Sequence, residues 1–316
     1  TALATLALCW KSTAILALPA LALDAKKRLG AGAAWRMLLL PPLGFGLLLL
    51  PWLIKRSFTS ACSSAFAVSP PKRATMAAGV ADGTIKPAWA ARLDSVIRAS
   101  AVQGMVVILG LFYGKQSGAF RDETAVKAAV TNTVDWLLQK RATNVLLEIG
   151  NEVDLENVWA YDIIAAGRCH ELIELAKQRA GGKILVSTSL IGMHTPPEPI
   201  VAASDFLLPH GNRVYGPEGH FQPAPHGIRL QVAQWKASPA YRGQPLVYNE
   251  DDHFEFDKPD NHFVAAVESG ASWGYFDYRM SRERFEDGFQ SLPVDWTISS
   301  KRKRAFFGLL KEITGS

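Results

Sequence analysis

From Asp82 onward the apolar residues follow two alternating rhythms. Residues 87–100, "PAWAARLDSVIRAS", carry them at helical spacing, whereas "GMVVILGLFY" (Gly104 to Tyr113) is a continuous apolar run of strand length. The segment "DETAVKAAVTNTVDWLLQKR" returns to the helical period: Asp122 is placed to cap it, Val126, Val130, Val134, Leu137 and Leu138 form one face, and Lys140 and Arg141 close it. "NVLLEIG" (Asn144 to Gly150) is the next strand, and a helix over 162–180 stops at Gly181-Gly182. "KILVSTSLIG" and the short "SDFLLPHGN" are strands. Ile228, Val232 and Trp235 mark a helix, and "PLVYNE" a strand. Phe263, Ala266 and Val267 mark a helix that ends at Gly270; "ASWGYFDYR" is the last strand and "KRKRAFFGLLKEI" the closing helix.

Strand and helix thus alternate six times with short connections. Strands that are apolar throughout are buried on both faces, so the alternation predicts a parallel sheet, doubly wound or closed into a barrel. No glycine-rich phosphate loop follows any strand, which counts against a nucleotide-binding Rossmann fold.

Residues 1–80 are different. The first 54 are rich in Leu and Ala with little period, and Met37 to Ile54 is an 18-residue stretch without a charge, flanked by Arg36, Lys55 and Arg56. Four readings of it compete: a membrane helix or signal anchor, a secretory signal starting at Met37 with Ala65 to Ala67 as cleavage site, a buried core segment, or a stretch translated out of frame. The export readings imply a secreted or membrane-anchored, extracytoplasmic protein. The chain therefore divides into an apolar, basic segment (1–80) and a catalytic α/β domain (81–316).

The net charge of +5 belongs to the first segment, which holds nine Lys/Arg against Asp24 alone. The remainder is mildly acidic, so nucleic acid is not an expected partner. Three cysteines (Cys9, Cys62, Cys169) give neither a disulfide framework nor a zinc spacing; Cys169 shares a helical stripe with Leu172, Ile173 and Ala176 and reads as core. Trp89, Trp136 and Trp235 also fall on helical stripes.

Polar and aromatic residues gather where the apolar strands end. They are Tyr113, Lys115 and Gln116; Asn151 and Glu152; Ser189 and His194; His210 and Asn212; Asn249 and Glu250, with Asp251, Asp252 and His253 behind; and Trp273, Tyr275 and Asp277. In a (β/α)8 barrel the C-terminal ends of the strands carry the chemistry. Two carboxylates from different strands suit glycoside hydrolysis, one protonated to release the leaving oxygen and one ionised to attack. A Glu at a strand end is ordinarily a solvated residue or a partner for Lys. Two of them, each after an Asn and with two strands between, are less ordinary.

The motifs "EIGNEVD", "PLVYNEDD" and "GASWGYFDY" resemble the fourth, seventh and eighth strands of clan A glycoside hydrolases, the retaining (β/α)8 enzymes of cellulase-like family 5 type. The resemblance covers roughly residues 83–313. It implies a TIM barrel, a carbohydrate substrate, no cofactor and no metal. It puts the acid/base on Glu152 with Asn151 beside it, the nucleophile on Glu250 after Asn249, and a sugar platform on Trp273. His210 stands near the usual strand-six His, Tyr215 within reach of the nucleophile, and Tyr113 at the end of strand three.

The chain departs from the pattern at the front. Strands one and two are not securely identifiable, would have to lie within residues 1–80 (with "SSAFAV" as the second), and bring no assignable Arg. A non-catalytic carbohydrate-binding barrel is therefore the first alternative. A metal-dependent barrel hydrolase using Asp251, Asp252 and His253 is the second. The run Lys301 to Arg304 reads as solvated.

Overall fold

The computed structural model describes residues 4–8, 12–16, 81–191, 195–211, 225–251, 253, 255–276, 298 and 300–315. The strands are β1 (Ala4–Leu8), β2 (Ser12–Leu16), β3 (Val106–Tyr113), β4 (Val145–Asn151), β5 (Leu185–Ser187), β6 (Ser189–Leu190), β7 (Leu208–Pro209), β8 (Val247–Tyr248) and β9 (Ser272–Trp273). The helices are α1 (Pro87–Val102), α2 (Glu123–Lys140), α3 (Cys169–Ala180), α4 (Glu198–Ala203), α5 (Pro225–Lys236), α6 (His262–Glu268) and α7 (Lys301–Thr314).

The sheet runs β2-β1-β3-β4-β5, with every neighbour parallel except β1 and β2. Only Thr188 separates β5 from β6, which pairs in parallel with β7; β8 pairs in parallel with β9. Single parallel bridges, Leu207 to Leu246 and His210 to Glu250, join the ends of β7 and β8. This is the parallel, helix-alternating architecture the sequence predicts, but among the described residues no pairing joins β9 back to β2. The closed eight-stranded ring expected from the resemblance is therefore not complete here. The place beside β3 is taken by β1, and the antiparallel β2 lies outside it. Ser63 to Val68 and the whole of 37–54 lie outside the described residues, and among the described residues no helix is long and apolar enough to cross a membrane.

Side chains alternate across each strand, and the alternation separates two layers. Leu109, Leu147, Ile149, Val186 and Leu207 face the helices in the main core. Ile108, Leu146, Phe206, Leu208 and Val247 meet one another on the opposite, inner face. Cys169, Leu172, Ile173 and Ala176 of α3 and Trp235 of α5 are fully buried, as their stripes predict.

Local signals fix most helix ends. Pro87 opens α1, where its missing N–H would have had no partner. Asp122 caps α2 by accepting from Ala125 N at 2.8 Å. Asn261 and Ser300 cap α6 and α7 in the same way, from Val264 N at 3.0 Å and Lys303 N at 3.1 Å. Two expectations are corrected. Helix α3 begins at Cys169, not near 162, because the residues before it form successive turns over the main core. Within the basic run at the start of α7, Lys303 is fully buried while Lys301 and Arg304 are exposed, so the run is not a uniformly solvated face.

Candidate active site

Strand β4 delivers the first carboxylate. Its last residue, Asn151, stands in register with Tyr113 at the end of β3, so both lie on one edge of the sheet. The next residue, Glu152, turns the chain with a φ of +53°, a left-handed conformation that costs a non-glycine residue about 1–3 kcal/mol. Neighbouring strands hold it there. Glu152 N donates to Ser189 Oγ at 2.9 Å, and Val153 N donates to Ser189 O at 3.2 Å. Behind it, Thr188 Oγ1 donates to Gly150 O at 2.8 Å.

Strand β7 delivers the group that meets it. His210 is fully buried, its backbone N donates to Leu190 O at 3.0 Å, and its Nδ1 lies 2.9 Å from Glu152 Oε1. The same residue is bridged to Glu250, and Gly211 N donates to Glu250 O at 2.8 Å. Glu250 itself is 7% exposed, at the end of β8. Polar atoms of Glu152, His210 and Glu250 all lie within 4.8 Å of one another. Two acids from distant parts of the chain thus share one place, with an imidazole between them.

Burial alone would strip His210 of its proton. The negative charge of Glu250, the hydrogen bond and charge of Glu152, and the charge of Glu148 outweigh that and push it up to about 9. At neutral pH the ring is a cation, and its Nδ1–H donates to Glu152. His210 Nε2 and Asn249 Oδ1 are buried without a hydrogen-bond partner among the described residues. Beside Glu152 opens a cavity of about 390 Å³ lined by Tyr113, Gly114, Gln116, Asn151, Glu152, Leu155 and Val158. That is the size of a small-molecule site, and its mix of apolar walls with a few polar groups is typical of one.

Among the solved structures that resemble this chain are a β-glucosidase in its apo form (13% identity, 54% of this chain and 61% of that one, TM-score 0.39) and a chitinase of Rhizomucor miehei (15% identity, 57% and 60%, TM-score 0.39). A third is an endo-β-mannanase/endo-β-glucanase of Prevotella bryantii (9% identity, 75% and 40%, TM-score 0.46). The names of these three structures are those of enzymes that act on glycosides. Each match spans less than two thirds of the neighbour's own length, and at these scores any functional reading rests on the site itself. No family model and no curated protein matches the sequence.

Trp273 departs from its expected place. Its side chain is fully buried, stacked on Phe263 with ring centroids 5.4 Å apart and flanked by Phe256 and Phe306. Its faces are occupied by the core, so it offers no open platform to a sugar. Tyr215, Asp252, His194, Asn212 and Asp277 lie outside the described residues.

Asp251 lies directly after Glu250. It is fully buried, and its carboxylate accepts from His253 Nδ1 (2.5 Å), His253 N (3.1 Å), His262 Nδ1 (2.8 Å) and Trp273 Nε1 (2.8 Å). Burial acts to raise its pKa, but the charges and hydrogen bonds of His262 and His253 hold it well below the usual carboxylate range. Asp251, His253 and His262 are close enough to share a cation, as are Glu152, His210 and Glu250. In the first set four N–H donors already occupy the carboxylate. In the second His210 Nδ1 is already bonded to Glu152 Oε1 at 2.9 Å. The residues fit a hydrogen-bonded network better than a metal centre. Sequence reasoning missed His262, whose signal is only its place one residue after the capping Asn261.

Proposed function

We propose that the protein is a retaining glycoside hydrolase that cleaves O-glycosidic bonds of an oligo- or polysaccharide by double displacement. The observation that carries this reading is the approach of Glu152 and Glu250 to within 4.8 Å around His210. Retaining enzymes hold their carboxyl groups about 5–5.5 Å apart, and inverting ones about 6.5–9.5 Å, to admit a water.

In this reading a carboxylate oxygen of Glu250 attacks the anomeric carbon as its bond to the leaving oxygen breaks. Glu152 gives its proton to that oxygen. The glycosyl-enzyme is then opened by a water whose proton passes through Glu152 back to His210 while Glu250 leaves as the carboxylate. The charge on His210 explains where the first proton is kept. Glu250 is the largest favourable influence on the imidazolium. When Glu250 spends its negative charge in the new covalent bond, the imidazolium loses that support. Its proton then has an acceptor 2.9 Å away in Glu152, which delivers it to the departing oxygen. Asn249, with its buried unpartnered amide oxygen, is placed to accept a sugar hydroxyl.

The test is hydrolysis of a panel of aryl glycosides by wild type and by Glu250→Ala. The reading expects release by wild type, none by the variant, and azide rescue that yields the glycosyl azide of inverted configuration. Turnover undiminished in Glu250→Ala would end it. So would activity lost on chelation.

A further inference from the structure

Asp251 follows Glu250 directly, and the double displacement makes no use of it. Its carboxylate nevertheless accepts four hydrogen bonds. One oxygen takes the two N–H groups of His253; the other takes His262 Nδ1, from the first residue of α6, and Trp273 Nε1, from β9. Its backbone carbonyl accepts from Phe276 N at 3.3 Å, just beyond β9. On the side of β7 the carboxylate fills the space that a side chain at position 211 would need: a Cβ on Gly211 would lie 2.3 Å from Asp251 Oδ2. Gly211 is the residue that bonds Glu250 O, and it follows His210, which is bridged to Glu250. One buried anion therefore touches the ends of β7, β8 and β9 and the start of α6.

We propose that Asp251 is a positioning residue: by tying α6 and β9 to the end of β8, and by packing against Gly211, it fixes Glu250 at its distance from His210 and Glu152. Among the described residues, strands β7 and β8 are joined near their ends by single bridges, a shorter pairing than the ladder between β3 and β4. The four donors add to that constraint. A carboxylate is suited to this because two oxygens accept from three directions at once, and its charge strengthens each bond. Gly211 is required by the same arrangement.

The proposal rests on the glycosidase reading for its kinetic consequence, but its geometric consequence is independent. In Asp251→Asn the two donors that face the amide NH2 lose their acceptor, the other two lose its charge, and the end of β8 is held less firmly. The expectation is a fall in kcat of about 100-fold on aryl glycosides, for good and poor leaving groups alike, since an ångström of misplacement has that effect. KM stays within about twofold, since sugar binding is not touched. A residue that served folding alone would lower the melting temperature and leave kcat per folded molecule unchanged.

The paired variants His262→Asn and His262→Ala keep the test decisive should Asp251→Asn fail to fold. The Asn amide places an N–H where the imidazole Nδ1–H was and retains kcat, whereas Ala loses it by about tenfold or more. Crystal structures of wild type and His262→Ala give the second readout: the Glu152–Glu250 oxygen separation is wider in the variant than in wild type. An unchanged separation overturns the proposal whether or not the protein hydrolyses any glycoside. Should wild type hydrolyse none, the glycosidase reading fails and the separation alone decides the role of Asp251.

Discussion

His210 Nδ1 lies 2.9 Å from Glu152 Oε1 while the His210 backbone is bridged to Glu250, so the single residue that follows β7 is in touch with both acids of the site. Nothing local in the sequence announces this contact, yet most of the chemistry depends on it. The consequences below follow from it and from the strands that hold it.

The protonation of His210 links stability to alkaline pH. Its folded pKa, pushed up to about 9, lies above its ordinary value of 6.5, so the native state holds this proton more tightly than the unfolded chain does. The stability it contributes is fully present below pH 6.5 and is lost as pH rises through 9. Denaturant melts at several pH values check this. Wild type loses stability from about pH 6.5 to 9, and His210→Asn, which cannot titrate, loses much less over that window. NMR titration of the imidazole should show a midpoint near 9.

Glu152→Gln keeps the shape of the acid/base and removes its proton. Loss of general acid catalysis is worth about 10²–10⁴ in rate, and it applies only where the leaving oxygen needs a proton. The expected outcome is a fall of that order in kcat/KM on oligosaccharides and on aryl glycosides with poor leaving groups. Dinitrophenyl glycosides should be affected far less. A uniform loss across all leaving groups would place the acid elsewhere.

The strained turn at Glu152 is maintained by Ser189. Ser189→Ala leaves Glu152 N without its acceptor, which costs about 1 kcal/mol of stability, the net worth of an ordinary hydrogen bond. It also lets the left-handed turn relax, so kcat falls while substrate binding changes little. Chemical melts and steady-state kinetics on the purified variant measure both effects.

Trp273 acts through its N–H and its buried rings rather than through an exposed face. Trp273→Phe removes a donor to an ionised carboxylate, a bond worth about 1.5–3 kcal/mol, and leaves a gap against Phe263. Stability should drop by about that amount, with KM nearly unchanged. An increase of tenfold or more in KM without loss of stability would restore Trp273 to the role of a sugar platform.

The sequence made part of this architecture legible. The cap at Asp122, the stripes of α2 and α3 and the strand expected over Asn144 to Gly150 are written in local periodicity and capping; the cap and stripes appear where that pattern puts them, and the strand runs one residue later, Val145–Asn151. The placing of Asn151, Glu152, Asn249 and Glu250 at strand ends was equally readable, because apolar runs stop there. What was not readable depends on contacts across the chain. His210 and Glu152 are 58 positions apart, and only the pairing of β4 with β5 and of β6 with β7, with Thr188 alone between β5 and β6, brings them together. The positive φ of Glu152 occurs at a residue type that does not favour it. The burial of Lys303 and Trp273 and the four donors on Asp251 arise from packing of β8, β9, α6 and α7, which no window of sequence contains. Position β1 beside β3 was hidden for the same reason: its neighbour lies about a hundred residues away in the chain.

The measurement that bears most directly on the central claim is mass mapping after incubation with a panel of dinitrophenyl 2-deoxy-2-fluoroglycosides, which slow the opening of a glycosyl-enzyme more than its formation. A single glycosyl adduct on the peptide that contains Glu250, absent in Glu250→Ala, is the predicted result. An adduct on another residue, or steady hydrolysis of the parent glycosides with inversion and no adduct, would contradict the account.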